Sequence, residues 1–372
     1  MMKFSIGLLS SLSAFALAVS ASADPKQLDG PVREEGDIAG AAFRIDIPED
    51  WHGGLIMYAH GYALAGTTPE FNTSFVGAAN GMGYAVAQSR YTHQGWAARE
   101  GILDTEALRR YFADKYGDTY PTIIAGHSQG AAITYATIER YPEAYDGALP
   151  MCGAGNTALE FFKERVFDMR LLFDYFLPGL AGSAVDFPDG RATYTKVMAK
   201  AGELIKEDPK EAQKFAKMVN LSSAEAIPGT IAFWSEILRE LQDRTGGNAF
   251  NNRNTLYSGS DDDVKLNHEI PRFDSDAGSV EYLARWVTVS GEISDPVLAI
   301  HTMVDDLIPP SIAGMYDSKT VAAGTSDLYV LQYVEHEGHC NFTNEEMKVA
   351  LEQLHDWIEN GKRPVATDIT SD

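Results

Sequence analysis

The chain has no repeat of fixed period, which excludes solenoid and propeller architectures. Beyond Val19 it has no apolar run long enough to cross a bilayer, which takes about 20 residues. The mature protein is therefore expected to be soluble, with no membrane span. Basic residues are scarce: 30 Lys and Arg stand against 53 Asp and Glu, a formal net charge of -23. A chain this acidic repels nucleic acid and anionic membranes, so neither is expected as a partner. No metal set is visible. His336 and His339 with Glu335 or Glu337 do not match a zinc spacing. Asp261 to Asp263 is a short acidic run without the ligand pattern of a calcium loop. Gly126 to Gly130 lacks the Lys-Ser/Thr ending of a phosphate loop. No cofactor is expected. Cysteine is limited to Cys152 and Cys340, and in an oxidising compartment two cysteines often pair.

What is present suffices for a large core. The 372 residues are 45% hydrophobic, enough for one elaborated domain or a core with a lid. The beginning reads as an address. Lys3 is followed by a mostly apolar stretch, Ile6 to Val19, and by the small residues Ala21-Ser22-Ala23. This pattern predicts a signal peptide over 1–23, a mature chain from Asp24, and a periplasmic or extracellular location. The apolar run is too short for a membrane anchor.

Short β-rich runs alternate with helical patterns in two stretches. Strands are expected at Ala42 to Ile47, Leu55 to Ala59, Tyr84 to Gln88, Thr122 to Ala125 and Ala148 to Met151. Helices are expected at Pro69 to Asn80, Ala97 to Lys115 and Gln129 to Tyr141. Such alternation predicts a mainly parallel sheet with helices on both faces. The rhythm breaks near Gly155 and resumes near Asp295, with strands at Pro296 to Thr302 and Leu328 to Val334 and a closing helix at Met347 to Asn360. Gly361 and Pro364 end that helix, and the last eight residues are expected to fray. Between the two stretches the chain reads as a largely helical lid insertion, 156–277, over a core made of 24–155 and 278–372.

Gly126-His127-Ser128-Gln129-Gly130 fits G-x-S-x-G, directly after a predicted strand and directly before a predicted helix. That is the context of a nucleophile elbow, with Ser128 on a sharp turn above the sheet. A serine hydroxyl needs a general base. His268 falls in the insertion, His301 within a strand and His355 inside the closing helix. His336 and His339 lie just past the final strand. His339 is favoured because it follows Gly338, and His336 is the rival. The acid belongs at the end of the preceding strand, where Asp305 and Asp306 compete. One oxyanion donor is expected from the backbone N–H of Gln129, after the nucleophile.

The elbow, His60-Gly61, Asp305-Asp306-Leu307-Ile308-Pro309 and Gly338-His339 together resemble the α/β-hydrolase superfamily. The resemblance implies Asp305 as the acid, within Asp-x-x-Ile-Pro, and the Tyr62 N–H as the second oxyanion donor. It also implies that His60 is a brace. The stretch from Gly338-His339-Cys340-Asn341 to Trp357 is similar to the end of secreted tannase- and feruloyl-esterase-like hydrolases. Those families bridge a cysteine after the histidine to one before the serine. Here His127 precedes Ser128 and the second cysteine is Cys152, at the end of the next strand. A Cys152–Cys340 bridge would brace the histidine loop from there.

The stripe Phe161, Phe162, Phe167, Leu171, Leu172, Phe173, Tyr175, Phe176 reads mainly as the lid's core. Phe161, Phe173, Phe176 and Trp96 are candidates for a substrate pocket. An apolar, capped site points to a small or medium hydrophobic ester. The expected activity is carboxylic ester hydrolysis through an acyl-enzyme, carried by Ser128, His339 and Asp305. The rivals are a peptidase, amidase or perhydrolase on the same residues, and a non-catalytic binding protein with this fold.

Overall fold

The computed structural model describes residue 26 and residues 28–186 and 193–371. The expected signal peptide, residues 1–23, lies outside them. Eight strands form one sheet: β1 (Val32–Ile38), β2 (Ala41–Ile47), β3 (Leu55–Ala59), β4 (Ala85–Ser89), β5 (Thr122–His127), β6 (Gly147–Met151), β7 (Val297–Val304) and β8 (Tyr329–Glu337). Their spatial order is β1-β2-β4-β3-β5-β6-β7-β8. β1 pairs antiparallel with β2, and β2 with β4. All other pairings are parallel.

Burial explains the strand sequences. β3, β4 and β6 are buried at every residue; β3 and β6 carry apolar runs without alternation, as strands covered on both faces do, and β4 ends in the buried polar pair Gln88 and Ser89. β1 is an edge strand with a largely exposed, charged sequence, VREEGDI. It lacks a buried run, which is why the sequence reading passed over it.

Helices α1 (Thr73–Asn80), α2 (Ala98–Tyr116) and α3 (Gln129–Arg140) lie between the early strands. The expected helix from Pro69 begins only at Thr73, because the Asn72 side chain caps it by accepting from the Phe75 N–H at 3.0 Å. Between β6 and β7 the chain forms α4 (Ala158–Phe162), a π-helical turn (Lys163–Asp168), α5 (Met169–Phe176), α6 (Thr193–Glu207), α7 (Pro209–Met218), α8 (Ile227–Thr245), α9 (Asp263–Glu269) and α10 (Ala277–Trp286). The last part adds α11 (Pro310–Ala313), α12 (Met315–Ala323) and α13 (Asn344–Asn360).

α8 and α10 were not anticipated. α8 opens with Ile227-Pro228-Gly229, which reads as a turn. Proline is nevertheless tolerated in a first helical turn, where its missing N–H has no partner to lose.

One face of the sheet packs against α1 and α13 through Phe75, Val76, Met347, Leu351, Leu354 and Trp357. The other packs against α2, α3 and α12 through Leu108, Phe112, Tyr135, Ile138 and Tyr316. A third cluster joins the inserted helices to each other and to Trp96, Ala132 and Ile308 of the core.

The chain end does not fray as expected. Residues 367–370 run along β8: Tyr333 N–H donates to Thr367 O, Ile369 N–H to Tyr333 O, and Glu335 N–H to the Thr370 hydroxyl. Among the described residues no helix is long and apolar enough to cross a membrane.

Candidate active site

The carboxyl ends of β3, β5, β6, β7 and β8 meet at one edge of the sheet. In a parallel sheet this is where loops converge and ligands bind. β5 ends at His127, α3 begins at Gln129, and Ser128 alone makes the turn, with φ 57° and ψ −119°. A non-glycine residue held there costs on the order of 1–3 kcal/mol and persists only when its surroundings fix it. Ser128 N–H donates to Met151 O on β6 at 3.0 Å. The flanking glycines are required by close approach. A Cβ on Gly126 would lie 2.5 Å from Gly130 O, and one on Gly130 would overlap the Ala59 carbonyl. The pattern G-x-S-x-G is thus a packing requirement of β3 against the elbow.

His339 follows β8 through Gly338, whose φ of 107° suits glycine. Gly338 N–H donates to Val304 O at 2.7 Å, and the Thr302 hydroxyl donates to Gly338 O at 3.0 Å. The next residue, Cys340, is disulfide-bonded to Cys152 at the end of β6, with Cα atoms 5.3 Å apart. The imidazole joins two partners: Nε2 lies 2.7 Å from Ser128 Oγ and Nδ1 lies 2.6 Å from Asp305 Oδ2. The carboxylate places the proton on Nδ1, leaving Nε2 to accept from the serine hydroxyl.

Asp305 is buried. Its Oδ1 accepts from Leu307 N–H and Ile308 N–H, both at 2.9 Å. Burial alone would raise this carboxyl, but the hydrogen bond and charge of His339, with the Ile308 N–H, hold it below the usual carboxylate range.

The rival residues are engaged elsewhere. His336 Nε2 bonds Glu346 Oε1 at 2.8 Å, on α13. The Asp306 carboxylate accepts from the Ser222 N–H and hydroxyl. His355 Nδ1 meets the Tyr84 hydroxyl.

Sequence reasoning saw His301 only as a strand residue. Its Nε2 lies 2.8 Å from Ile308 O and 3.8 Å from Asp305 Oδ2, so it braces the turn that carries Asp305. Burial pushes its basicity down, which keeps the ring neutral.

The loop after β3 lies against Ser128. A Cβ on Gly61 would come within 3.4 Å of Ser128 Cβ. His60 stacks on Tyr91 at 3.9 Å between ring centroids, and its Nδ1 bonds Gly61 O at 2.7 Å. It thus fixes the loop that presents Tyr62. Tyr62 and Gln129 both line a narrow cavity of about 40 Å³ at Ser128.

The remaining walls are Trp96, Phe161, Phe162, Phe233, Trp234, Ile237, Ile308 and small residues. The rings meet edge to face: Trp96 on Phe162 at 4.5 Å, Phe161 on Trp234 at 5.4 Å and Phe233 on Trp234 at 5.0 Å. Phe173 and Phe176 are not among the walls. They pack on Phe215 of α7, at 5.5 and 6.4 Å. The π-helical turn before α5 changes the helical register, so a stripe read at constant period points the wrong residues at the serine.

Trp96 is held from the insertion. Its backbone N–H donates to Glu240 Oε2 at 2.8 Å, Arg244 Nε donates to Glu240 Oε1 at 2.8 Å, and Arg244 Nη1 donates to Glu100 Oε2 at 3.1 Å. A larger charged cleft of about 800 Å³ is lined by these ion pairs and by Arg99, Arg239 and Tyr282. Its walls include none of Ser128, Asp305 and His339. The cleft is bigger, but the narrow cavity is the one that Ser128 lines. The two sulfurs near His339 are bonded to each other, so they offer no thiolate for a metal.

Residues 37–237 match the model of a family described as a tannase-like family of unknown function (DUF6351). An o-phthalyl amidase of Xanthobacter agilis is 24% identical over 421 residues, spanning 89% of this chain and 88% of that protein. Among solved structures, feruloyl esterase B of Aspergillus oryzae aligns with a TM-score of 0.50 at 14% identity, over 94% of this chain and 85% of that one. A Bacteroides ovatus protein described as a dipeptidyl aminopeptidase IV aligns with a TM-score of 0.49 at 12% identity, over 89% of this chain. This chain spans only 36% of that protein's length. The fold is that of the α/β-hydrolases, with an eight-stranded, mainly parallel sheet.

Proposed function

The chain belongs to this tannase-like family, and from that premise we propose that it is a serine hydrolase cleaving carboxylic esters with a compact acyl group. One observation carries the reading: a continuous chain from Asp305 through His339 to Ser128 Oγ, with both links at 2.7 Å or less. In the proposed reaction His339 Nε2 takes the hydroxyl proton as Oγ attacks the ester carbonyl carbon. The oxyanion is held by the N–H groups of Gln129 and Tyr62. The imidazolium, stabilised by Asp305, gives its proton to the leaving alcohol. Water, activated by the same imidazole, then releases the acid and restores Ser128.

The small volume and aromatic walls of the cavity support a short or flat acyl group. A leader over 1–23 and the Cys152–Cys340 bridge support export to the periplasm or medium. We read 156–277 as a cap on a core of 24–155 and 278–372.

A second reading, an amidase on the same residues, is favoured by the likeness to the o-phthalyl amidase. Matched esters and amides of one acid separate the two, since a higher rate on the amide selects the second. The reading as a whole is tested with p-nitrophenyl esters of increasing acyl length, in wild type and Ser128→Ala. The expected result is a loss of about a thousandfold or more in kcat/KM, with short acyl chains preferred. Activity that survives the substitution removes Ser128 as the nucleophile.

A further inference from the structure

The cavity beside Ser128 is apolar in all but a few atoms, and those atoms are unusual. Trp234 Nε1 and Gln129 Nε2 are buried and have no hydrogen-bond partner among the described residues, and the Tyr62 hydroxyl is in the same condition. All three residues line this one cavity. Trp234 and Gln129 are each only 5% exposed, so bulk water does not serve their N–H groups. Buried donors are nearly always paired, and a tryptophan N–H in particular finds an acceptor when it is enclosed.

Trp234 is also fixed in place, edge to face with Phe161 and Phe233. Gln129 is anchored at the start of α3, directly after the nucleophile. Neither is a mobile surface group whose pairing is a matter of chance.

Among the described residues no Lys, Arg, Asp or Glu lines the cavity. A ligand carboxylate would lie there without a countercharge, which disfavours an anionic acceptor. Arg239 and Arg244 of the cap line the other cleft and are tied to Glu236, Asp243, Glu240 and Glu100, and Arg165 donates to the Val219 and Asp306 carbonyls.

We propose that Trp234 and the Gln129 side chain are specificity-determining residues that donate hydrogen bonds to an uncharged acceptor oxygen on the acyl group of the substrate. The preferred acyl group is then compact and carries a hydroxyl or carbonyl oxygen. Its plain hydrocarbon counterpart leaves both donors unpaired in the complex. Sites built to hydrogen-bond a substrate group discriminate strongly against analogues that lack it. The inference rests on the reading of Ser128 as the nucleophile of an acyl-transfer site.

The test uses matched acyl pairs that differ by one oxygen: p-nitrophenyl butyrate against 3-hydroxybutyrate, and benzoate against 3- and 4-hydroxybenzoate. The terephthalate monoester supplies the anionic case. The readout is the ratio of kcat/KM within a pair, measured in wild type, Trp234→Phe and Gln129→Leu. A general loss of activity from a disturbed fold cancels in that ratio. The expected result is a ratio of about 10 or more for at least one pair in wild type, the discrimination of one good hydrogen bond, falling toward one in Trp234→Phe. A ratio near one in every wild-type pair overturns the proposal, as does a preference that both substitutions leave intact. A preference for the terephthalate monoester overturns the uncharged acceptor.

If no ester is turned over, the reading of the site as an esterase fails. The recognition claim is then decided by calorimetric binding of butyramide against 3-hydroxybutyramide, and of benzamide against 4-hydroxybenzamide. Equal Kd within both pairs would reject it.

Discussion

Asp306 adjoins the buried carboxylate of Asp305 in sequence, yet it faces Ser222, accepting from that residue's N–H and hydroxyl at 2.6 Å each. Ser222 is exposed and belongs to the segment between α7 and α8. One aspartate of the pair therefore orients the imidazole, and the other ties the inserted helices to the turn after β7. Asp305→Asn is expected to lower kcat by about 10⁴-fold, since the amide no longer favours the productive tautomer. Asp306→Ala is expected to keep kcat within about threefold and to cost roughly 1 kcal/mol of stability, the worth of one or two exposed hydrogen bonds. Steady-state kinetics and urea midpoints on both variants check this. A large kcat loss in Asp306→Ala would reverse the assignment.

The disulfide closes a sequence separation of 188 residues and joins β6 to the residue after His339. Chain-entropy arguments give about 5 kcal/mol for a loop this long, and native bridges typically contribute about 2–4 kcal/mol. Cys152→Ala with Cys340→Ala is expected to lower stability by about that range. It should also lower kcat/KM, because Cys340 positions the histidine loop. Tm and activity of the wild type with and without reductant give an independent check. An unchanged Tm after thiol titration has shown full reduction would refute the claim.

Gly130 and Gly77 make opposite predictions for the same substitution. A Cβ at Gly130 overlaps the Ala59 carbonyl, whereas one at Gly77, inside α1, meets nothing within 4 Å. Gly130→Ala must push β3 away from the elbow, so a loss of about 3 kcal/mol and at least about 100-fold in activity is expected. Gly77→Ala is expected to be neutral or to stabilise by up to about 1 kcal/mol. Thermal melts of the two variants, with activity measured at room temperature, decide between them. Equal effects would mean that the elbow has room for a methyl group at position 130.

The residues that the structure brings together at Ser128 were legible in the sequence for a physical reason. The elbow, the acid turn and the histidine loop are each local: strand, tight turn and glycine are written in consecutive residues. Asp305 against Asp306 was open from the residues alone, since the difference lies in partners as distant as Ser222 and His339. The cavity was mostly illegible. Trp234 and Phe233 come from a helix whose opening reads as a turn, and they meet Phe161 and Ser128 only through tertiary packing. Phe173 and Phe176 were misassigned because a π-helical turn shifts the register within the stripe. The end of the chain looked free because pairing of 367–370 with β8 depends on a strand edge that no local pattern reveals.

His127 provides the pH prediction. Its Nδ1 lies 2.9 Å from the Tyr58 hydroxyl, which itself accepts from Asn72 Nδ2 at 2.8 Å. Tyr58 therefore donates to a neutral imidazole, and protonation of His127 breaks the chain. Burial, with the nearby His339 as a second cause, pushes its pKa down to about 4 from the ordinary 6.5. The unfolded chain binds this proton near 6.5, and the folded protein only near 4. Between those values the unfolded state holds more protons, so stability falls as pH falls through the window. The full effect is about 3 kcal/mol, at 1.36 kcal/mol per unit. Above pH 6.5 the group contributes no slope. His52, His60 and His301 are also pushed down by burial, and they add the same slope to any variant that keeps them. Asp305, held low, loses its contribution only at more acid pH. The difference between wild type and His127→Asn therefore isolates His127. Urea midpoints from pH 7 to about 4 should fall less steeply in His127→Asn. Parallel curves for the two proteins would mean that His127 is protonated in the fold without cost, and that the Tyr58 hydroxyl does not donate to it.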